Sequence, residues 1–455
     1  MEIKEFIKLN EEKMIADLRT LVSYNSVSVF DKENKEAPFG QTCREVLDKA
    51  LEIYEEAGMK VKNVDNYAGY AEVGQGDKLI GILGHLDVVP SGDEGWTYDP
   101  FELTRVGNKL FGRGSMDDKG PMVAALYAIK YLLQEKVELN KRIRLIVGVN
   151  EEKGSKCLDY YVAKEGHIDY GFTPDGSFPG IYGEKGHVAA WFNVKSSKIK
   201  SINGGQAMNA VCSKVEAEVV KDFDLDKLKN SLRENGLTCE ASEEGNLVKL
   251  VVKGVAAHAS MPELGKNAIS FLMKALAEAG LEDNFVEYYN SHFGTYTDGF
   301  LLNCKIADKY GALTFNNGLI SSQDDLITGS IDIRCPVTFD TKLVKDILER
   351  ELNDDRGRVS RISIGDPLFF DPNSTMVQAL VSAYREVTSD FESQPMVIGG
   401  GTYSKGINNC IAFGGEFLND DNHIHDVDEF IEVDKLLLQT EIYVKAIMNL
   451  LAIKD

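Results

Sequence analysis

The chain has 455 residues, with 43% hydrophobic and 27% charged side chains, which is a globular composition and not a disordered or fibrous one. Its 50 Lys and Arg against 72 Asp and Glu leave a net charge of −22. Such a surface repels a phosphate backbone and an anionic lipid face, so no nucleic-acid and no membrane partner is expected. At roughly 150 residues per domain, the length allows about three domain-sized units, or two with insertions.

Taken in order, Ile3 to Tyr24 reads as a charged amphipathic helix without a signal-peptide core, and Thr42 to Ala57 as a second helix stopped by Gly58. Lys78 to Leu83 is a short apolar run, expected as a buried strand. Pro121 to Leu133 has helical periodicity, and Arg142 to Val149 is β-branched and alternating. This alternation predicts an α/β fold with a mostly parallel sheet covered by helices. Near Tyr182 the texture changes. Strands are expected at Val188 to Val194, Leu247 to Val255, Ala312 to Ile320, Leu326 to Arg334 and Arg358 to Ile364, with helices at Asn267 to Ala279 and Thr341 to Leu352. The last part returns to the first texture with helix Ser374 to Val387, strand Ile411 to Phe413 and helix Val433 to Leu451. The expected architecture is a discontinuous catalytic domain, 1–181 and 376–455, with an α+β domain inserted at 182–375.

The seven cysteines are odd in number and widely spaced, with no C-x-x-C. This argues against a disulfide framework and a thiolate zinc site, and the expected compartment is the cytoplasm. No apolar run approaches the roughly 20 residues of a membrane span.

The chemistry gathers where strands end. LIGILGHLDVVP delivers His85 and Asp87 from an apolar strand, and at this spacing both side chains leave one face. A carboxylate two residues after a metal-binding histidine can orient its ring. GRGSMDDKG carries Asp117 and Asp118 into a helix start. Asn150, Glu151 and Glu152 end the strand IRLIVGV, and TPDGSFP places Asp175 after another strand-like segment. Alone, each also fits an ordinary acidic turn or helix start. Together, His85, Asp117, Glu152 and Asp175 follow successive strands of one sheet, where open α/β folds bind ligands. His423 and His425 in NDDNHIHDVDEF offer a second imidazole. Two nitrogens and three carboxylates, one of them bridging, make a ligand set for two divalent ions. His167, His187 and His292 fit no such pattern and read as structural or surface residues.

These segments, continued by GVAAHASMPELGKNAI, IDIR, GGGTY and a late His-x-x-x-Glu, resemble the two-metal aminoacylase/carboxypeptidase/dipeptidase family. Length and the PDGSFP and GGGTYSKG segments are most similar to its bacterial PepV-type dipeptidases. The resemblance implies that Asp117 bridges two metals, that His85 and Asp175 complete one, and that Glu152 and His425 complete the other. His425 is chosen over His423 because it stands four residues before Glu429. Asp87 would orient His85, Glu151 would be the general base, and the Asp117–Asp118 peptide would be cis.

The inserted domain resembles the family's lid, with length enough for two lobes in one chain and hence a monomer. His258 would reach the scissile carbonyl, and Asn209 and Arg334 would hold substrate. The Gly400, Gly401 and Thr402 turn would offer backbone N–H groups to a carboxylate. The implied activity is hydrolysis of dipeptides by an enzyme carrying two divalent ions, zinc first, with manganese or cobalt compatible with the same donors. The alternatives are an N-acyl-amino-acid deacylase or single-residue carboxypeptidase with the same centre, and a non-catalytic metal or peptide binder on a hydrolase fold.

Overall fold

The computed structural model describes residues 1–92 and 94–454. Two compact units divide the chain. The first comprises Met1–Gly183, Phe370–Met396 and the chain from Gly401 onward, and the second comprises Glu184–Phe369 with Val397–Gly400. The dividing lines differ from the expected 181/182 and 375/376 for local reasons. Phe370 already donates its N–H to the Tyr182 carbonyl of the first unit, whereas the Ile398 and Gly399 carbonyls are taken by Lys185 N–H and the Arg334 guanidinium of the second.

In the first unit a sheet runs in the order Lys60–Val64, Ala68–Val73, Arg142–Gly148, Leu79–His85, Tyr170–Thr173, Cys410–Ala412. The four strands from Arg142–Gly148 to Cys410–Ala412 are parallel. The two before them form an antiparallel flank, because the short turn at Asp65–Tyr67 leaves no length for a crossover. Every residue of Leu79–His85 is buried, which is why the run reads as continuously apolar. Successive side chains alternate between faces. At Gly84 a β-carbon would meet Met122 of helix Lys119–Gln134, and at Gly148, in register with His85, it would meet Cys157 of helix Lys156–Glu165 and Tyr403. The two helices therefore cover opposite faces. Helix Lys119–Gln134 is buried over nearly its whole circumference between that strand and helices Ile3–Val22 and Val433–Ala452. Pro121 is tolerated in its first turn, where a missing N–H costs no helical bond.

The second unit is an α+β body whose large antiparallel sheet runs in the order Thr238–Glu244, Leu247–Lys253, Lys214–Val220, Ile199–Gly204, Ile320–Gln323, Leu326–Cys335, Gly186–Lys195, Gly357–Gly365. Instead of the two expected lobes, its two halves are continuous. They join where Asn203 and Gly204 pair with Ser321 and Ile320, and one continuous apolar core underlies both. The strand expected over Ala312 to Ile320 is broken. Thr314–Asn316 pairs with Leu326–Cys335, and then the chain leaves the ladder. Asn317 gives its side-chain amide to the Ser330 carbonyl, and Gly318 lies so close to the carbonyls of Ala207 and Met208 that no β-carbon fits there.

Candidate metal centre

The parallel strands end on one edge of the first unit's sheet. His85 closes Leu79–His85, Glu151 and Glu152 follow Arg142–Gly148, and Asp175 follows Tyr170–Thr173. Asp117 lies in the loop before helix Lys119–Gln134, and His425 lies in the loop before strand Phe430–Glu432. The Asp117–Asp118 peptide is cis.

The five expected ligands come together in two groups that share Asp117. Its Oδ1 is 2.9 Å from His85 Nε2, which lies 4.0 Å from Asp175 Oδ2. Its Oδ2 is 2.9 Å from His425 Nε2, which lies 3.3 Å from Glu152 Oε2. One carboxylate thus presents one oxygen to each group, the arrangement a bridging ligand needs. His423 turns away, with Nδ1 3.1 Å from the Val427 carbonyl.

The groups around these ligands differ from expectation in one respect. His85 Nδ1 is 2.9 Å from the backbone carbonyl of Asp87 and 3.6 Å from its carboxylate. The carbonyl is therefore the nearer orienting partner. The carboxylate instead accepts the N–H groups of Glu151 (3.0 Å) and Glu152 (3.2 Å), so Asp87 sets the acidic pair in place. Asp118, fully buried, accepts the His85 N–H.

Beneath the loops runs the segment Tyr24–Ser28, in which sequence reasoning saw no role. Ser26 Oγ donates to the Leu86 carbonyl, Ser28 Oγ accepts from the Asn150 amide, and the Tyr24 carbonyl accepts from buried Lys119. Its only sequence signal is a pair of serines after an amphipathic helix.

The donor chemistry fits divalent cations. Burial, reinforced by Asp175, Asp117 and Glu152, pushes the Glu151 carboxyl well above its ordinary range against the pull of His85. Burial opposes a charged His85, yet the nearby Asp117 and Asp87 carboxylates raise it well above a free imidazole. His425 is raised to about 10 by its hydrogen bonds to Asp117 and Glu152. Carboxylates crowded in a buried place draw positive charge, and two imidazoles with three carboxylates suit metal ions as well as protons.

The remaining expected residues lie in the second unit, apart from Gly401 and Thr402. Asn209 is exposed, and its carbonyl accepts the Ala259 N–H beside His258. His258 Nδ1 accepts the Ser260 N–H at 3.2 Å, which leaves the ring proton on Nε2 as a donor. Burial and then the Arg334 charge lower the pKa of His258 and keep the ring neutral. Arg334, expected to hold substrate, already has its Nε and Nη2 engaged by Asp332 at 2.8 and 3.1 Å, and Nη1 donates to the Gly399 carbonyl at 3.2 Å. Asp332, missed in the sequence, also takes His187 Nε2 at 3.0 Å, which gives that histidine a structural role. Gly400 belongs with Arg334 in the second unit, while Thr402 uses its hydroxyl to cap the short helix Tyr403–Gly406 in the first.

An α/β body that brings imidazoles and carboxylates to the carboxyl ends of its parallel strands has the form of a metal-dependent hydrolase. Comparison with known proteins agrees. The chain belongs to peptidase family M20/M25/M40, whose pattern matches residues 81–449, and it is a metallopeptidase. It is 35% identical to a Staphylococcus epidermidis protein named "Putative dipeptidase" over 469 aligned positions, covering 98% of this chain and 99% of that protein. A Staphylococcus aureus protein of the same description is 34% identical over 467 positions, with the same coverage. Among solved structures, human carnosine dipeptidase 1 superimposes with a TM-score of 0.60 at 18% identity, over 99% of this chain and 98% of the other. A Staphylococcus aureus tripeptidase gives 0.59 at 15% identity, over 97% and 99%. At those identities the two structures speak for the fold.

Proposed function

We propose that the protein hydrolyses the peptide bond of dipeptides at a centre holding two divalent ions, with Glu151 as general base. The observation that carries this reading is the sharing of Asp117 between two ligand groups, with Glu151 fixed beside them by Asp87. His85, Asp117 and Asp175 would hold one ion, and Asp117, Glu152 and His425 the other. When bound, such ions polarise a carbonyl and bring the pKa of a water from about 16 toward about 7.

The chain's own residues supply the proton traffic. Glu151 takes the proton of the attacking water and delivers it to the leaving amine nitrogen. His258, with Nε2–H free to donate, is suited to the developing oxyanion, where losing one donor typically costs about 100- to 1000-fold in turnover. Arg334, Asn209 and the Gly400–Thr402 turn would position the substrate. Because Asp332 already holds one edge of the Arg334 fork and the Gly399 carbonyl accepts from Nη1, a substrate carboxylate would share the other edge with that carbonyl. The names of the Staphylococcus relatives support a dipeptide substrate. A monomer in the cytoplasm belongs to the same reading, and no described helix is long and apolar enough to cross a membrane.

The test is a panel of dipeptides, tripeptides and N-acetyl amino acids, assayed on chelated protein with zinc or manganese added back. Dipeptides should be cleaved fastest. Preference for N-acetyl amino acids, or for longer peptides trimmed by one residue, would make the protein a deacylase or carboxypeptidase with the same centre. Two bound metals without turnover on any substrate would make it a binder.

A further inference from the structure

We propose that Glu429 and Arg113 are positioning residues of the metal centre: they lock the loop that carries Asp117 to the loop that carries His425, so that both loops present their ligands as one piece. The inference rests on the metal centre proposed above and assigns to it residues outside its ligand set.

Glu429 is buried to 1% exposure, and its carboxylate is spent on the Asp117 loop. Oε1 accepts the N–H groups of Met116 (2.9 Å) and of Asp117 itself (3.1 Å). Oε2 accepts the Gly114 N–H (3.0 Å) and Arg113 Nη1 (2.6 Å). Arg113, also buried, sends Nη2 to the Asp426 carbonyl at 3.1 Å, one residue past His425, and lies over the Trp96 ring at 5.2 Å. The backbone repeats the tie, because Gly112 N–H donates to the Glu429 carbonyl and Phe430 pairs with Phe111.

A buried carboxylate is costly unless its lone pairs are used and its charge is matched, and here both conditions hold. The loop so held has an irregular backbone. His423, His425 and Asp428 all sit at positive φ (57°, 63° and 56°), a region less favourable than the right-handed one for residues with a β-carbon, so three such residues in one short loop draw on outside ties. Groups that orient metal ligands typically alter metal affinity by about 10- to 100-fold when changed. A merely structural ion pair would alter stability and leave affinity alone.

The experiment titrates chelated full-length protein with Zn²⁺ by calorimetry, and compares wild type, Glu429→Gln and Arg113→Lys. Thermal unfolding of each metal-free protein and dipeptide kcat and KM at saturating zinc are measured alongside. In Glu429→Gln an amide nitrogen replaces one of two oxygens that both accept from donors, so two N–H contacts are lost whichever way the amide turns. The expected result is zinc affinity weaker by about 10- to 100-fold and reduced kcat with little change in KM. Arg113→Lys keeps the charge but loses the second arm to Asp426, and should fall between.

A Glu429→Gln protein that melts earlier yet binds two zinc ions as tightly as wild type would overturn the inference. Should that variant not fold, Arg113→Lys decides: unchanged affinity overturns the inference and weakened affinity supports it. A wild type that binds no pair of zinc ions would instead sink the underlying metal centre, and the inference with it.

Discussion

Glu151 and Glu152 are neighbours in the chain, and both amides are held by the Asp87 carboxylate, yet their side chains part. Glu152 approaches His425, while Glu151 joins neither ligand group. This division predicts that Glu151→Gln keeps both metals and loses turnover by about 100- to 10,000-fold, the range of general-base contributions. Elemental analysis and kcat on one preparation check it; near-native turnover removes Glu151 from the role. Asp332 yields a second prediction. Burial works against its charge, but the His187 hydrogen bond and the Arg334 charge outweigh burial and hold its carboxyl below the ordinary range. A depressed carboxyl contributes stability that is fully present above the unfolded value near pH 3.9 and is lost as pH falls through the folded value. Asp332→Asn leaves Arg334 without its carboxylate partner and should cost about 3 kcal/mol at pH 7. The gap to wild type should narrow as the pH drops below about 4. Urea unfolding at pH 7 and pH 3 would show it, and a gap independent of pH would refute the assignment.

Among the elements, those with a single strong periodicity were legible. Helix Ile3–Val22, strand Leu79–His85 and strand Arg142–Gly148 lie within a few residues of expectation, because each presents one apolar pattern to one core. Strands Ile199–Gly204, Lys214–Val220 and Thr238–Glu244, with helices Leu225–Glu234 and Asn284–His292, were not singled out. Thr238–Glu244 is an edge strand, mostly exposed and laden with glutamates, so it carries little hydrophobic signal. Helix Ala268–Glu278 makes its own case. Asn267 caps it, accepting the N–H groups of Ile269 and Ser270, and also donates to the Asn317 carbonyl. Asn267→Ala should cost about 1–2 kcal/mol in urea unfolding, and Asn267→Asp, which keeps the cap and loses the donor, should cost less. Equal losses would mean that the tie to Asn317 dominates.

For the whole molecule, candidate ligands drawn from far-separated segments would make metal and fold interdependent. A bound ion stabilises by about 2.7 kcal/mol at a hundred times its Kd, so chelation should lower the melting temperature and abolish activity together, and zinc or manganese should restore both. Full activity after exhaustive chelation would overturn the metal mechanism. With both halves of the second unit's sheet in one chain, the protein should sediment as a monomer of 50.4 kDa; a concentration-dependent dimer would contradict this.

By itself the sequence determined which residue types stand at strand ends, and its motifs, through their resemblance to a family, pointed to candidate ligands and a candidate base, because metal chemistry demands particular donors and motifs carry them in order. Tertiary structure alone decided how those donors are held: that Asp87 takes the acidic pair's amides, that Asp332 claims the edge of Arg334, and that Glu429 binds the Asp117 loop. The physical reason is that each such hydrogen bond joins residues whose separation or direction the chain's local pattern leaves open. A carboxylate's partners are settled only when burial removes water as the competitor.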